Sequence, residues 1–182
     1  IKALWAGGRV SISGGHFELD GAALSLPLVQ RPHPPIWIGA NADIAVKRAA
    51  RLGDCWYLAP HQNLETFVRQ MDLYRAELER VCRPFPEELP MRREVFCARS
   101  HDEAVQIAAP YIKRQYDLYQ SWGQDKAMAR GDQNITMDYE DLARDRFIVG
   151  DPDEVAAEIL RYNQVLGVNH IIMSVQGVGM PQ

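Results

Sequence analysis

The sequence predicts an α/β fold in which short strands alternate with amphipathic helices. Four short apolar runs are typical of buried strands, and the segments between them carry apolar residues at three- and four-residue steps, as helices do. Gly, Pro and Asn residues separate these segments. Such alternation is typical of a parallel sheet with right-handed crossover connections. Four strands of this kind form either a small open sheet or half of a (β/α)8 barrel, and composition does not choose between the two.

Residues 1–35 predict a β-hairpin and an extended segment. Residues 10–12 and 16–19 alternate apolar and polar side chains on either side of residues 13–15, a pattern that is typical of a hairpin. Residues 20–35 are rich in Pro and Leu, and they predict an extended lead-in to the first parallel strand.

Residues 36–120 predict three strand–helix units. In order, these are strand 36–40 with helix 42–52, strand 55–59 with helix 64–82, and strand 93–98 with a helix behind it. Pro34 and Pro35 exclude a helix before the first strand, because proline fixes φ and disfavours helical geometry in the residue that precedes it. Asn63 is a candidate N-cap for the second helix. Ser100 with Glu103 predicts a capping box for the third helix.

Residues 121–146 predict a long insert rather than a further strand–helix unit. They are polar and show no sustained period, apart from one short predicted helix near residues 139–143. A mixed-charge run in this segment predicts a solvated surface: Asp141, Arg144, Asp145 and Arg146. A loop of this length in a compact domain is more often functional or mobile than inert.

Residues 147–182 predict a helix followed by a strand. The run from Asp151 to Glu154 combines an N-cap residue, a proline at the first helical position and an acidic first turn, and Gly167 predicts the end of the helix. Residues 170–175 predict the fourth strand of the sheet, and a glycine-containing turn follows it.

Length, charge and cysteine content exclude several classes of protein. The 182 residues suffice for one domain with a sizeable core, and the formal net charge of −4 argues against nucleic acid or an anionic membrane as a partner. No apolar run is long enough to span a bilayer and no secretion signal opens the chain, so we expect a cytoplasmic protein. Cys55, Cys82 and Cys97 are widely spaced, and we expect buried free thiols and no metal site.

The turn Gly39-Ala40-Asn41-Ala42, directly after the first predicted strand, is a candidate anion site. Backbone N–H groups at a helix start are unpaired and carry positive partial charge. Gly39 allows the backbone to approach a ligand closely, because it has no Cβ atom. The alternative is a plain strand–turn–helix corner in which Asn41 caps the helix.

Four segments together resemble the C-terminal half of the luciferase-like flavin-dependent monooxygenases. They are Leu4-Trp5 with the hairpin that ends at Leu19, residues 32–56, residues 147–155 and residues 166–181. The resemblance implies a (β/α)8 TIM-barrel fold, of which this chain covers roughly strands five to eight after a preceding hairpin. Strands one to four and the final helix are absent from this sequence, which begins without Met. We therefore expect a piece of a longer protein that is inactive alone.

The resemblance assigns the candidate turn to a cofactor. In that family the turn after the fifth strand helps to bind the flavin phosphate, often as Gly-Gly followed by Ser or Thr. The matching positions here are Gly39, Ala40, Asn41 and Ala42, so the contacts would come from backbone N–H groups and the Asn41 amide. Asp43 would repel a phosphate nearby. FMN is the first choice of cofactor, and the deazaflavin F420 is the alternative.

His61, Gln176 and Gly177 are the candidate substrate-pocket residues. Each follows a predicted strand, at the end where barrel enzymes place their sites. The alternatives are an ordinary loop histidine and a turn that merely needs glycine. The resemblance implies oxidation of a small organic substrate with reduced flavin and O2; F420-dependent hydride transfer and a non-catalytic half-barrel remain open alternatives. It assigns no catalytic residue, and we expect a homo-oligomer because a half-barrel leaves strand edges unpaired.

Overall fold

The structure, a computed structural model, describes residues 1–177, 179 and 180, and the chain divides into two compact units. The first unit, Ile1–Ile36, contains a short helix α1 (Lys2–Trp5) and an antiparallel hairpin of β1 (Val10–Ser13) and β2 (Glu18–Ala22). The predicted hairpin is confirmed. Helix α1 is an addition, because four residues show no period that a sequence pattern could detect.

The second unit, Trp37–Gln182, is built on parallel strands. They are β3 (Trp37–Gly39), β4 (Cys55–Tyr57), β5 (Pro90–Cys97), β6 (Ile148–Gly150) and β7 (His170–Ser174). β3 pairs with β4, and β5 pairs with β6 and β7 on opposite edges. A bridge between Leu58 and Met91 joins β4 to β5. Because residues 90–94 pair with β7, the bridge lies on the other edge of β5. Strand β6 pairs with β5 along that same edge.

The described part of this unit contains five α-helices, and each begins close to its predicted position. They are α2 (Asp43–Leu52), α3 (Leu64–Arg80), α4 (His101–Ser121), α5 (Tyr139–Ala143) and α6 (Pro152–Leu166), with a 3-10 turn at Gln124–Ala127. The Asn63 side chain accepts from the Thr66 N–H at 2.8 Å, and Asp151 forms a complete capping box with Glu154. The Gly167 residue ends α6 at φ 78°.

One predicted cap is only half formed. Ser100 Oγ accepts from the Glu103 N–H at 3.3 Å, but the Glu103 carboxylate accepts from the Arg99 N–H at 3.1 Å instead of from Ser100. Pro110 lies inside α4 without ending it.

Helices α2, α3 and α6 cover one face of the sheet and bury the main core. Trp56, Phe67, Tyr74 and Tyr162 are fully buried there, and Ile38 and Ile171 pack against them. Arg93 lies in the same layer, with its guanidinium 5.0 Å from the Phe67 ring centroid and 4.8 Å from that of Tyr162. Since successive side chains of a strand point to opposite faces, the neighbouring Trp37, Tyr57 and Arg92 face the other way. We call that second face the Arg92 face.

A second core is made by α4, the insert and β6. It contains Tyr116 of α4, Ile135 of the insert, Leu142 of α5 and Phe147, all buried, and among the described residues α4 contributes nothing to the main core. The predicted insert is therefore a packed part of the unit. Helix α4 belongs to it and is not a helix of the main layer.

Several further predictions need correction. Strand β5 begins at Pro90, three residues before the predicted start at residue 93, because the Pro90 carbonyl accepts from the Leu58 N–H at 2.9 Å. Strand β6 is not predicted at all, since three residues carry little pattern. Cys55 is buried as expected, but Cys82 and Cys97 are exposed; all three are free thiols. The described helices include none that combines the length and apolarity needed to cross a membrane.

Candidate functional site

The predicted turn joins the carboxyl end of β3 to α2, and Ala42 is the N-cap residue of α2. Ala42 has extended geometry, and its carbonyl accepts from the N–H groups of Ala45 and Val46 at 2.8 and 3.0 Å. No side chain caps this helix start, so the alternative in which Asn41 is the N-cap is wrong. The N–H groups at the start of α2 have no intrahelical acceptor, as at every helix start.

The turn is held rigidly by buried amide and indole groups behind it. The Trp56 Nε1–H donates to the Ala40 carbonyl at 3.1 Å. The Asn41 carbonyl accepts from the side-chain amides of Gln62 and Gln70 at 3.2 and 2.8 Å, and both glutamines are fully buried. Asn41 Oδ1 is buried and accepts no hydrogen bond from the described part of the chain. A ligand hydroxyl or N–H is the kind of group that would satisfy it.

Asp43 is neutralised by its neighbours. Its carboxylate accepts two hydrogen bonds from Arg69, both at 2.8 Å, and a third from Gln70 at 2.8 Å. The hydrogen bond from Arg69 is the main reason that the pKa of Asp43 lies below its usual value. The repulsion that Asp43 would exert on a phosphate is therefore offset by the paired guanidinium.

A cleft of about 530 Å³ opens at this helix start. It is lined by the first residues of α2, by Arg69 and by part of the insert with the exposed Arg130. Arg130 forms no ion pair with any described residue. The positive end of α2 and a free guanidinium thus flank one space, and this donor set fits a phosphate group.

His61 lies in the loop between β4 and α3 and is 5% exposed. Its ring makes edge contacts with Tyr119 and Tyr116, with centroid distances of 4.8 and 5.7 Å. Burial, followed by the nearby arginines, lowers the pKa of His61 to about 4. The imidazole is therefore neutral near pH 7 and is a hydrogen-bonding group rather than a cation.

Two buried arginines, Arg93 and Arg146, fix the loop that carries His61. Arg93 donates to the carbonyls of Pro60 and Gln62 at 2.9 and 3.1 Å, and Arg146 donates to the His61 carbonyl at 2.9 Å. Arg146 also pairs with the fully buried Asp132 at 2.8 Å. The predicted solvated surface is therefore wrong for Arg146. The available signal was its place directly before the apolar run of β6.

The carboxyl ends of β5 and β7 bring Gln176 and Gly177 next to Glu94. All three line a cavity of only about 10 Å³, which is room for roughly one water molecule. Glu94 is 2% exposed, burial raises its pKa, and the Tyr116 hydroxyl lies 3.5 Å from its Oε2 atom. A Cβ atom on Gly177 would lie 2.8 Å from the Cβ atom of Tyr111, so this position requires glycine for close packing.

The structure thus brings the predicted residues into two neighbouring groups. Of the turn residues, Ala42 lines the α2 cleft, whereas His61 contacts the Tyr116 ring and Gln176 and Gly177 share a small cavity with Glu94. A larger cleft, of about 730 Å³, lies elsewhere, between α4, α5, β6 and α6, and none of the predicted site residues lines it. The described residues include no group of three or more His, Cys, Asp or Glu side chains that could hold a metal ion.

Residues 1–170 match the family model described as luciferase-like monooxygenase. Among solved structures, monooxygenase RslO1 from Streptomyces bottropensis superimposes with a TM-score of 0.70 at 24% identity, over 97% of this chain and 51% of its own. An F420-dependent secondary alcohol dehydrogenase, solved with an F420–acetone adduct, gives 0.71 at 15% identity, over 94% and 52%.

A third solved structure is the oxygenating constituent of 3,6-diketocamphane monooxygenase from Pseudomonas putida, in complex with FMN. It gives a TM-score of 0.63 at 16% identity, over 97% of this chain and 53% of its own. The chain therefore spans about half the length of each of these three proteins. One of the three was solved with FMN and another with an F420 adduct.

Proposed function

Because the chain belongs to the luciferase-like monooxygenase family, we propose that it supplies the flavin-phosphate turn and part of the active site of a flavin-dependent oxidoreductase. The reaction proposed is oxidation of a small organic substrate with reduced flavin and O2. The single observation that carries the proposal is the helix start at Ala42. It has no side-chain cap, it is held in place by buried groups, and a free arginine faces the same cleft.

We assign β3, β4, β5 and β7 to strands five to eight of a (β/α)8 barrel. These four strands are parallel and are joined in this order by pairing and by the Leu58–Met91 bridge. The sheet is also strongly curved: the Trp37 and His170 rings, at the starts of the first and last of these strands, lie 5.2 Å apart across β4 and β5. Such curvature is what a barrel wall requires.

The residues present fit a flavin phosphate, and FMN is our first choice of cofactor. The N–H groups at the start of α2 and the guanidinium of Arg130 would hold the phosphate, and Asn41 Oδ1 would accept from a hydroxyl or N–H of the cofactor. Gly39 does not line this cleft; it would let the cofactor approach the β3 backbone on the Arg92 face. When bound, a reduced flavin supplies the electrons for the oxidation. Chain residues would orient it and exclude water.

His61 acts in this scheme as a neutral hydrogen-bonding group. Its pKa of about 4 leaves it unprotonated near pH 7, and Arg93 and Arg146 hold its loop in place. So weak a base contributes little to proton abstraction. A role in orienting the substrate is consistent with its position beside Tyr116 and Tyr119.

A second candidate is hydride transfer with F420. The observation that favours it is the likeness in fold to an F420-dependent alcohol dehydrogenase, which has a TM-score of 0.71. The same phosphate turn could serve a deazaflavin, since the helix start recognises charge and not the ring system.

Titration with FMN and, separately, with F420 tests both candidates. The full chain is mixed with each cofactor, and cofactor fluorescence is followed to saturation. We expect saturable binding of FMN. Saturable binding of F420 alone would favour the second candidate, and binding of neither would contradict the proposed function.

A further inference from the structure

Arg92 and Arg93 are adjacent in β5 but lie in opposite environments. Arg93 is fully buried beneath α3 and α6, whereas Arg92 is half-buried on the Arg92 face of the sheet. Strand alternation explains the difference, because consecutive side chains project to opposite faces. Arg93 is fully engaged in positioning a loop, and Arg92 is not.

Within residues 1–177, 179 and 180, a single hydrogen bond orients the Arg92 guanidinium. Its Nε–H donates to Ser174 Oγ at 2.9 Å, across the β5–β7 pair. Guanidinium carries five N–H donors. The four on the terminal nitrogens have no acceptor among the described residues, and no described carboxylate lies within ion-pair distance. The bond to Ser174 therefore holds the guanidinium in place, and its two terminal nitrogen atoms are available to donate to a ligand.

Glu94, an acidic residue on this face, forms no ion pair with Arg92, although the positive charge of Arg92 acts to lower its pKa. Glu94 follows Arg92 by two positions and so shares its face, but its carboxyl group is buried against Tyr116. Burial also raises the pKa of Glu94, which weakens it as an anion. A half-buried positive charge without a partner is unfavourable, and binding of an anion would compensate it.

Two aromatic side chains, Tyr57 and Trp37, lie on the same face of the sheet as Arg92. The Leu58–Met91 bridge places Tyr57 opposite Pro90, two residues before Arg92, so Tyr57 and Arg92 are diagonal neighbours on the same face. The Tyr57 ring lies parallel to that of Trp37, with centroids 6.5 Å apart and an interplanar angle of 7°. Gly39, next to Tyr57 in the register, is exposed and has no side chain. A flat group can therefore lie against these rings.

We propose that Arg92 binds the carboxylate of a small planar organic acid whose ring lies against Tyr57 and Trp37. Guanidinium and carboxylate form two parallel N–H···O bonds, and the terminal edge of Arg92 presents the two donors that this requires. The inference rests on the proposed function in one respect, since the acid would be the substrate that the enzyme oxidises. The binding itself requires no cofactor.

The test compares benzoate with benzamide, which has the same ring and no charge. Binding to the full chain, without flavin, is measured by isothermal titration calorimetry. We expect benzoate to bind at least about ten-fold more tightly than benzamide, and Arg92→Met to remove that preference. Arg48→Met, on the exposed side of α2, is the matched control and should leave it intact.

Two further measurements distinguish paired hydrogen bonding by Arg92 from an effect of its charge alone or of misfolding. Arg92→Lys retains the charge but not the paired donors, and it should recover only part of the benzoate affinity. Circular dichroism of Arg92→Met should match that of the unaltered chain. Equal binding of benzoate and benzamide, or benzoate binding that survives Arg92→Met, would overturn the proposal.

The flavin phosphate is the other possible source of the anion. If Arg92→Met weakens binding of FMN but not of riboflavin, Arg92 serves the cofactor, and the assignment to a substrate carboxylate is wrong. Benzoate binding by Arg92 in a chain that binds no flavin would instead uphold this inference while the proposed function failed.

Discussion

The His61 side chain is kept uncharged near pH 7 by burial. It lies among Tyr116 and Tyr119, and the three arginines Arg92, Arg93 and Arg146 add positive potential around it. Both effects disfavour the protonated ring, and its pKa is about 4. The histidine thus remains neutral where an exposed one would begin to charge.

The lowered pKa of His61 predicts a loss of stability in acid. The unfolded histidine titrates near pH 6.5 and the folded one near pH 4. Between these values the unfolded state binds more protons, so the free energy of unfolding falls as the pH is lowered from about 6.5 to about 4. The contribution of His61 over this window is roughly 3 kcal/mol at most.

Urea unfolding at pH 7, 6 and 5 measures this contribution. His61→Phe should show a weaker decline in stability than the unaltered chain. His16→Gln, at an exposed hairpin position, should decline as the unaltered chain does. Identical pH dependence in His61→Phe and the unaltered chain would refute the role of burial at this histidine.

At the scale of single residues, the sequence predicted local helix caps better than it predicted which side chains are buried or paired. The acidic and proline pattern at Asp151 predicted the N-cap and the start of α6, because caps depend on residues within one turn. Arg146 was placed on a solvated surface, because its partner Asp132 is fourteen positions away and no local pattern reveals the pair. The free guanidinium of Arg92 also depends on the sheet, which a sequence pattern does not show.

At the scale of elements, the insert is the part of the chain that differs most from expectation. Its short helix was predicted at residues 139–143 and is confirmed. Its packing with α4 and β6 was not predicted, since the contacts of the second core are mostly far apart in sequence. Long strongly periodic helices such as α3 are easy to predict, whereas a three-residue strand depends on its partner.

The buried ion pair between Arg146 and Asp132 should stabilise the packing of the insert. The Arg146 side chain is 4% exposed and its partner Asp132 is fully buried, so Arg146→Met leaves a buried charge unpaired. We expect a loss of about 3–5 kcal/mol in the free energy of unfolding, measured in urea. The control is Arg144→Met, which breaks an exposed pair with Asp141 and should cost less than about 1 kcal/mol. Similar small losses in both variants would show that the insert is not anchored by this pair.

At the scale of the whole molecule, the family match establishes the family of the chain. The assignment of β3, β4, β5 and β7 to strands five to eight of a barrel is our proposal. The family match covers residues 1–170, and the chain spans about half the length of the solved structures it resembles. A parallel sheet with right-handed crossover connections was predicted from alternation alone. The choice between an open sheet and a barrel wall needed the resemblance, because strand curvature is set by pairing across the sheet.

The central claim is that the start of α2 holds a flavin phosphate, and the ratio of FMN to riboflavin affinity tests it most directly. Both ligands are titrated into the full chain by fluorescence. We expect FMN, which alone carries the phosphate, to bind at least about ten-fold more tightly. Ala42→Asp should abolish this preference by placing a carboxylate at the site, although aspartate caps helices well and should not destabilise α2. Ala42→Asn, the neutral control, should retain it. Equal affinities for FMN and riboflavin, or an FMN preference that persists in Ala42→Asp, would contradict the account.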